Sequence, residues 1–386
     1  MPLLIFLWLI FFMLSFGVAG VIYVKMKMAA KKPWRLKIDY DYKPKISILV
    51  PTYNEAGIIR YKLKNLIKVN YPKDSMQIIV VDSNSMDETV NIVYKFIEQY
   101  PETNIQVLRQ NEARGKSAAL NFALKYCEGE IVIVSDADCF WPSDILTNAL
   151  PFLADPIVGA VSGPKVLLNP NQSWITEMEN IYVNSHNLVK LGESKIHSTV
   201  FFEGGFGAYK RDFLESFDPY NTGADDSGTV IKFIEKKLRA LLIPEAKFYS
   251  AFPITWREKL NIKIRRANQL VRVFATYAKL LYRKRIKCSK AVILQNIFLY
   301  LFAPFMFISL LVATVFLLSN FPHFGLIFLV LIIPKVRLYV FEITQNYFIL
   351  LIAIFSVMLG RKITFWDKPK DRILLTEDVL HRYKLI

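Results

Sequence analysis

Three short polar runs carry the chemistry available to this sequence: Pro51-Thr52-Tyr53-Asn54-Glu55, Asp82-Ser83-Asn84-Ser85-Met86-Asp87 and Ser135-Asp136-Ala137-Asp138. In the last, alternate residues of an extended segment point opposite ways, so the two carboxylates divide their tasks. One can bind a hard divalent cation through oxygen; the other can take a ribose hydroxyl or the water shell of the metal. The histidines (His186, His197, His323, His381) are scattered and the cysteines (Cys127, Cys139, Cys288) lack CxxC spacing. That argues against a zinc site or a disulfide framework. Oxygen ligands alone select Mg²⁺ or Mn²⁺, and a diphosphate leaving group needs such a counter-charge. Taken singly, each run suits a turn or a helix cap, where Asp, Asn and Ser are favoured. Three in succession point to a shared site.

The elements that must position these runs are legible beside them. Ile46-Ser47-Ile48-Leu49-Val50, Ile78-Ile79-Val80-Val81 and Ile131-Val132-Ile133-Val134 are short apolar runs, suited to strands buried on both faces of a parallel sheet. Helical stretches lie between them; one follows Gly115, with Leu120, Ala123, Leu124 and Cys127 on one face. The pattern from Lys45 to about Ser250 is that of a wound α/β domain, in which ligands bind at the carboxyl ends of the strands. Two glycine-rich runs lead elsewhere and fail. Gly115-Lys116-Ser117 would end a P-loop only if residue 110 were glycine, and it is Gln110. Glu203-Gly204-Gly205-Phe206-Gly207 lacks the GxGxxG spacing of a dinucleotide fold.

Charge and hydropathy place the domain beside a membrane. Lys and Arg number 49 against 33 Asp and Glu, for a net charge of +16, and the mean hydropathy is +0.28. Residues 2–24 are uncharged and almost wholly apolar, followed by Lys25, Lys27, Lys31, Lys32, Arg35 and Lys37. That order predicts an uncleaved anchor with its N-terminus outside and the following domain in the cytoplasm. Residues 291–334 contain no Asp, Glu, Lys or Arg. As one helix they would be about 66 Å long, too long for one crossing. The break at Ser319-Asn320-Phe321-Pro322 divides them into a long span and a shorter partner, and a further uncharged stretch runs from Ile343 to Gly360. A cytoplasmic basic tail (Arg361, Lys362, Lys368, Lys370, Arg372) requires three full crossings, with one of the last two segments re-entrant or interfacial. The basic strips flank apolar runs, so membrane lipid is the expected partner and nucleic acid is not.

The ordered set Ile48–Glu55, Val81-Asp82, Arg114-Gly115-Lys116, Asp136-Ala137-Asp138, Gly204-Gly205 and Ala224-Asp225-Asp226 resembles family 2 glycosyltransferases of the GT-A fold. Within that family it is similar to the membrane-embedded group that includes hyaluronan, chitin and cellulose synthases. The resemblance implies a GT-A type wound mixed sheet with flanking helices, plus transmembrane helices at both ends. It implies a nucleotide-diphospho-sugar donor, a divalent metal (Mg²⁺ or Mn²⁺) and inversion at the anomeric carbon. It sets Thr52, Tyr53, Glu55 and Asp82 at the nucleoside and Lys116 at the base or phosphates. Asp136 falls on the ribose side, shared with the metal site, and Asp138 on the metal. Gly204 and Gly205 fall in the acceptor-side loop, where a missing side chain leaves room for a sugar or lipid head. Asp226 matches the catalytic base, with Asp225 where Glu is usual. The residues themselves also allow Asp226-Ser227 to cap the helix that follows.

Two departures stand out. Ser83 follows Asp82 where the family has a second Asp, and the Gln-x-x-Arg-Trp element survives only as Lys263-Ile264-Arg265-Arg266-Ala267. Arg265 and Arg266 retain guanidinium groups suited to a departing diphosphate; the absent tryptophan argues against processive synthesis. Around them, Leu260, Ile264, Ala267, Val271, Phe274, Ala278 and Leu281 line one helix face, so 256–290 should form basic amphipathic helices in the membrane interface. The expected layout is an anchor and basic linker (1–36), a GT-A domain (37–255), the interfacial helices (256–290), a C-terminal transmembrane region (291–360) and a cytoplasmic tail (361–386). The expected function is sugar transfer to a hydroxyl of a lipid-linked or saccharide acceptor. A polyprenyl-phosphate transferase, a processive polysaccharide synthase and an inactive membrane scaffold are the alternatives.

Overall fold

A computed structural model describes residues 2–111, 115–363 and 375–386. Arg114, and Lys368, Lys370 and Arg372 of the basic tail, lie outside the described residues.

The strands, in chain order, are β1 (Ile46–Thr52), β2 (Met76–Asp82), β3 (Ile105–Arg109), β4 (Ile131–Val134), β5 (Val158–Ser162), β6 (Lys165–Leu167), β7 (Gly207–Lys210), β8 (Arg239–Leu242) and β9 (Phe248–Ser250). Seven of them form one mixed sheet in the order β3-β2-β1-β4-β7-β5-β8, and β6 pairs with β9 alone. β1 to β4 are mutually parallel, whereas β7 runs antiparallel to β4 and β5. The strand order reverses between β1 and its two neighbours, the position at which a wound sheet opens a crevice.

The apolar runs are continuous because both sheet faces are covered. Ile46, Ile48 and Val50 pack on one face with Leu63 and Leu66 of helix α2 (Ile59–Ile67) and Phe96 of α3 (Thr89–Gln99). Leu49, Val132 and Val134 pack on the other with Leu120 of α4 (Lys116–Leu124) and, beyond α5 (Trp174–Ile196), with Phe233 of α6 (Ser227–Glu235). Each such fully buried side chain contributes roughly 1.5–3 kcal/mol.

The helix α7 (Trp256–Tyr282) joins this domain to the apolar helices. Its stripe is filled by protein. Val273, Phe274 and Tyr277 enter the domain core; Ala267 and Val271 pack with Phe307 and Leu350 of the apolar helices. The expected interfacial face therefore meets neighbouring helices rather than lipid. Among the described residues, three helices are long and apolar enough to cross a membrane: Pro2–Ala30 (α1), Lys290–Asn320 (α8) and Val336–Met358, the last within α9 (Pro334–Met358). Trp8 Nε1 donates to Thr314 Oγ1 at 2.8 Å while Phe16 meets Phe307 edge-on, so α1 lies antiparallel to α8; Tyr347 donates to the Ser15 carbonyl and stacks on Phe307, which sets α9 beside both. The break expected near Pro322 is present, and the shorter partner is a 3₁₀ helix, Pro322–Ile332.

α9 is fastened along α7 at both ends. Lys259 donates to Glu342 at 2.9 Å, and Arg272 donates to the Arg361 carbonyl at 2.6 Å. The chain then returns to the wound domain. Asn65 Nδ2 donates to the Leu385 carbonyl at 2.6 Å, and Leu380 and Leu385 join the core under α2. The segment 375–386 is thus docked on the wound domain.

Candidate active site

The carboxyl edge of the parallel strands holds the expected carboxylates in two neighbouring compartments. In the first, β1 and β2 end in register at Thr52 and Asp82. Asp82 is fully buried and accepts from Ser85 N at 2.9 Å and Thr52 Oγ1 at 3.3 Å; Arg109 Nε lies 3.7 Å away. The loops after the two strands are laced together. Asn54 N donates to Ser85 Oγ at 2.7 Å, Met86 N to Asn54 Oδ1 at 2.7 Å, and Glu55 N to Thr89 Oγ1 at 2.6 Å. Glu55 is buried under this lattice while Tyr53 is 43% exposed above it. Ser83, at the departure from the family pattern, reaches Gln110 at 3.3 Å.

The second compartment is a cavity of about 430 Å³ lined by Lys116, Asp136, Gly204, Gly205, Asp225 and Asp226, together with Arg265 and Arg266. Thr52, Tyr53, Glu55 and Asp82 lie at the neighbouring strand ends, and Asp138 has a ligand atom within 4.8 Å of those of Asp136 and Cys139, both of which line the cavity. Lys116 bridges two of the carboxylates, with Nζ 2.7 Å from Asp136 Oδ1 and 2.7 Å from Asp225 Oδ2. Burial works against its charge, but Asp136, Asp225 and Asp226 outweigh burial and hold the Lys116 ammonium well above its usual pKa. Gly115 lies at φ 87°, a conformation that favours glycine, and starts α4 so that Lys116 faces the carboxylates. A Cβ on Gly204 would fall 2.5 Å from Asp136 Oδ2 and closer still to Lys116, while a Cβ on Gly205 would overlap the Phe248 ring. The missing side chains thus make room for the Lys116–Asp136 pair and for Phe248.

Asp226 caps α6, accepting from Ser227 N at 2.5 Å. Burial, then the adjacent Asp225, push its carboxyl up to about 7. Burial likewise raises the Asp136 carboxyl, against the pull of Lys116. Arg265 is lowered to about 10 by burial and by Arg266. Asp138 lies beside Asp136. One ligand atom each from Asp136, Asp138 and Cys139 falls within 4.8 Å of the others. Burial, with Asp138 and Asp136 nearby, holds the Cys139 thiol well above its usual pKa, hence protonated and a poor ligand. The two carboxylates are the oxygen pair that a hard cation fits.

Two positioning residues escaped the sequence reading. Lys62 is fully buried and donates to Ser135 Oγ and the Cys139 carbonyl, each at 2.5 Å, gripping both sides of the Asp136–Asp138 loop. Its signal was a lysine within the stripe Ile59, Leu63, Leu66. Burial lowers it to about 7. Asp218 accepts from Thr222 N at 2.8 Å and Gly223 N at 2.7 Å, closing the loop that carries Asp225 and Asp226. An Asp four residues before Thr222-Gly223 was the available signal.

A wound mixed sheet with acidic residues at its carboxyl edge and a lysine paired between them can be set beside known proteins. The family model for glycosyl transferase family 2 matches residues 47–217. The solved mannosyltransferase PcManGT from Pyrobaculum calidifontis, in complex with GDP-Man and Mn²⁺, is 31% identical, with a TM-score of 0.80 over 92% of this chain and 99% of that one. The chain belongs to glycosyl transferase family 2. The probable glycosyltransferase YdaM of Bacillus subtilis is 29% identical over 283 residues, 71% of this chain and 67% of that protein. The beta-monoglucosyldiacylglycerol synthase of Nostoc sp. is 34% identical over 134 residues, covering 35% of this chain and 29% of the synthase.

Proposed function

We propose that the protein moves a sugar from a nucleotide-diphospho-sugar to a hydroxyl of a lipid-linked or saccharide acceptor, with inversion and with a divalent metal. The observation that carries this is Asp226, a carboxylate of raised pKa in a cavity that also meets the apolar helices. Asp226 takes the proton of the acceptor hydroxyl; the oxygen attacks the anomeric carbon from the face opposite the diphosphate, which departs with the bonding pair. Asp138 and Asp136 would hold Mg²⁺ or Mn²⁺, which supplies counter-charge to the diphosphate. Arg265 and Arg266 add guanidinium donors to the same oxygens, and Lys116 fixes the placement of Asp136 and Asp225. Thr52, Tyr53, Glu55 and Asp82 form the nucleoside side. PcManGT binding GDP-Man and Mn²⁺, and a relative that is a glycolipid synthase, support this reading.

The protein resides in the cell membrane with the catalytic domain, and the tail docked on it, in the cytoplasm. α1 and α8 cross. Transfer is non-processive, since Ala267 stands at the tryptophan position. The test is nucleoside-diphosphate release from a panel of sugar nucleotides in membranes supplied with acceptors and Mn²⁺ or Mg²⁺. Release by the wild type, abolished in Asp138→Ala, is expected. No release from any donor, or undiminished release by the variant, would contradict the proposal, and long polymer among the products would contradict non-processive transfer.

A further inference from the structure

The cavity has a far wall that the transfer chemistry leaves unused. Beyond Asp226 it is lined by Glu179, Tyr182 and His186 of α5, Lys263 of α7 and Asn346 of α9. Glu179, Tyr182 and His186 are spaced i, i+3, i+7 and so share one helix face. Past them the lining turns apolar and is drawn from all three candidate spans: Ala19 of α1, Leu299 and Tyr300 of α8, Tyr347 and Leu350 of α9. One continuous space therefore grades from catalytic carboxylates, through hydrogen-bonding side chains, to hydrocarbon.

The polar part combines ion pairs with one hydrogen-bonding ring that has no partner in them. Lys263 contacts both Glu342 and Glu179, the latter at 3.3 Å, and Glu342 also holds Lys259 at 2.9 Å. Lys190 holds Glu203 at 2.5 Å, and Lys165 also lines the cavity. Arg266 draws on the same Glu203 and Glu179, which raise its pKa against the effect of burial, so the carboxylates here are shared among a larger number of cations. His186 is pushed down to about 3 by burial and then by Lys190, so its ring is neutral. The ring stacks on Tyr182 at 5.6 Å and meets Phe201 edge-on at 4.7 Å. Its Nε2 is buried and has no hydrogen-bond partner among the described residues. An unmet buried polar atom costs about 1–3 kcal/mol, a cost that a ligand hydroxyl would remove.

We propose that this wall is an acceptor subsite for the hydroxyl-bearing headgroup of a membrane lipid, with His186 Nε2 as a direct contact and the chain lying among α1, α8 and α9. It rests on the glycosyl-transfer reading above and narrows its acceptor.

The experiment uses the full-length protein in nanodiscs, with the donor selected from the sugar-nucleotide panel. Three acceptors are compared: dioleoylglycerol with its monohexosyl derivative, phosphatidic acid with the same chains, and the free hexose. Wild type should transfer to the neutral lipids at least tenfold faster than to the other two. His186→Leu should raise the KM for the neutral lipid about tenfold with kcat and donor Kd within twofold, and His186→Gln should recover most of that loss. Donor Kd doubles as the check that each variant is folded. An unchanged acceptor KM in His186→Leu, or preference for phosphatidic acid or free hexose, would overturn the subsite while leaving the transferase intact. Wild type that transfers to none of the three, with no nucleoside diphosphate released, would overturn the transferase reading and the subsite with it.

Discussion

The two compartments along the sheet edge are built on opposite principles. At the ends of β1 and β2, Asp82 is enclosed by Ser85, Thr52 and Arg109, and the flanking loops exchange backbone and side-chain hydrogen bonds. At the far wall of the cavity, His186 keeps a ring nitrogen without a partner among the described residues, and Glu342 is shared between Lys259 and Lys263. The first compartment is a finished scaffold whose shape is set before a ligand arrives. The second holds hydrogen-bonding capacity in reserve. A glycosyltransferase with a fixed nucleotide donor and a lipid acceptor would be expected to divide its site this way.

The contrast can be broken from either end. The largest effect is expected for Lys116→Met, which leaves Asp136, Asp225 and Asp226 close together in a buried space with no cation between them. Transfer should fall about a thousandfold, within the range for removing one preorganised charge; transfer rates at saturating donor would measure it. Next is the pH profile. A base that must be deprotonated, with its carboxyl at about 7, gives a rate that rises tenfold per pH unit below about 7 and levels above it. A profile flat down to pH 5 would show that Asp226 is not the titrating group.

Lys62→Met tests the loop beneath the carboxylates. Losing the bonds to Ser135 and Cys139 should lower transfer about tenfold and raise the donor Kd. The same lysine has a folded-state pKa of about 7 against 10.5, so the unfolded chain binds the extra proton between those values. Stability therefore rises with pH across that window in the wild type, and the melting temperature of the variant should lose this slope. The smallest effect on turnover belongs to Asp82→Asn. It should cost about 1–3 kcal/mol of stability by disturbing a buried, hydrogen-bonded carboxylate, and it should weaken donor binding before it alters kcat. A melting temperature unchanged by Asp82→Asn would erase the distinction between the two compartments.

The parallel half of the sheet was legible because Ile46–Val50, Ile78–Val81 and Ile131–Val134 are apolar at every position or nearly so, which only strands covered on both faces require. Asp136, Lys116 and Asp226 were legible as members of an ordered motif set. The antiparallel insertion of β7 was not, since Gly207–Lys210 is too short and mixed to show a period. The partner of the α7 stripe was also hidden. Periodicity reports that a face is buried but not against what, and here neighbouring helices cover it. Lys263 and Glu342 illustrate the same limit: their pairing across 79 residues depends on α9 lying along α7, which neither segment encodes alone. In the sequence His186 is one of four dispersed histidines, and only the fold reveals that it shares a cavity with Asp226.

The most direct measurement is transfer and donor binding by Asp226→Asn in the same preparation. Asparagine still caps α6 and removes a carboxylate whose ionised form is opposed by burial, so the variant should melt no lower than the wild type and bind donor equally well. Transfer to a hydroxyl acceptor should nevertheless fall by about three orders of magnitude, within the range for general-base removal. Transfer within tenfold of the wild type, with donor binding intact, would contradict the account.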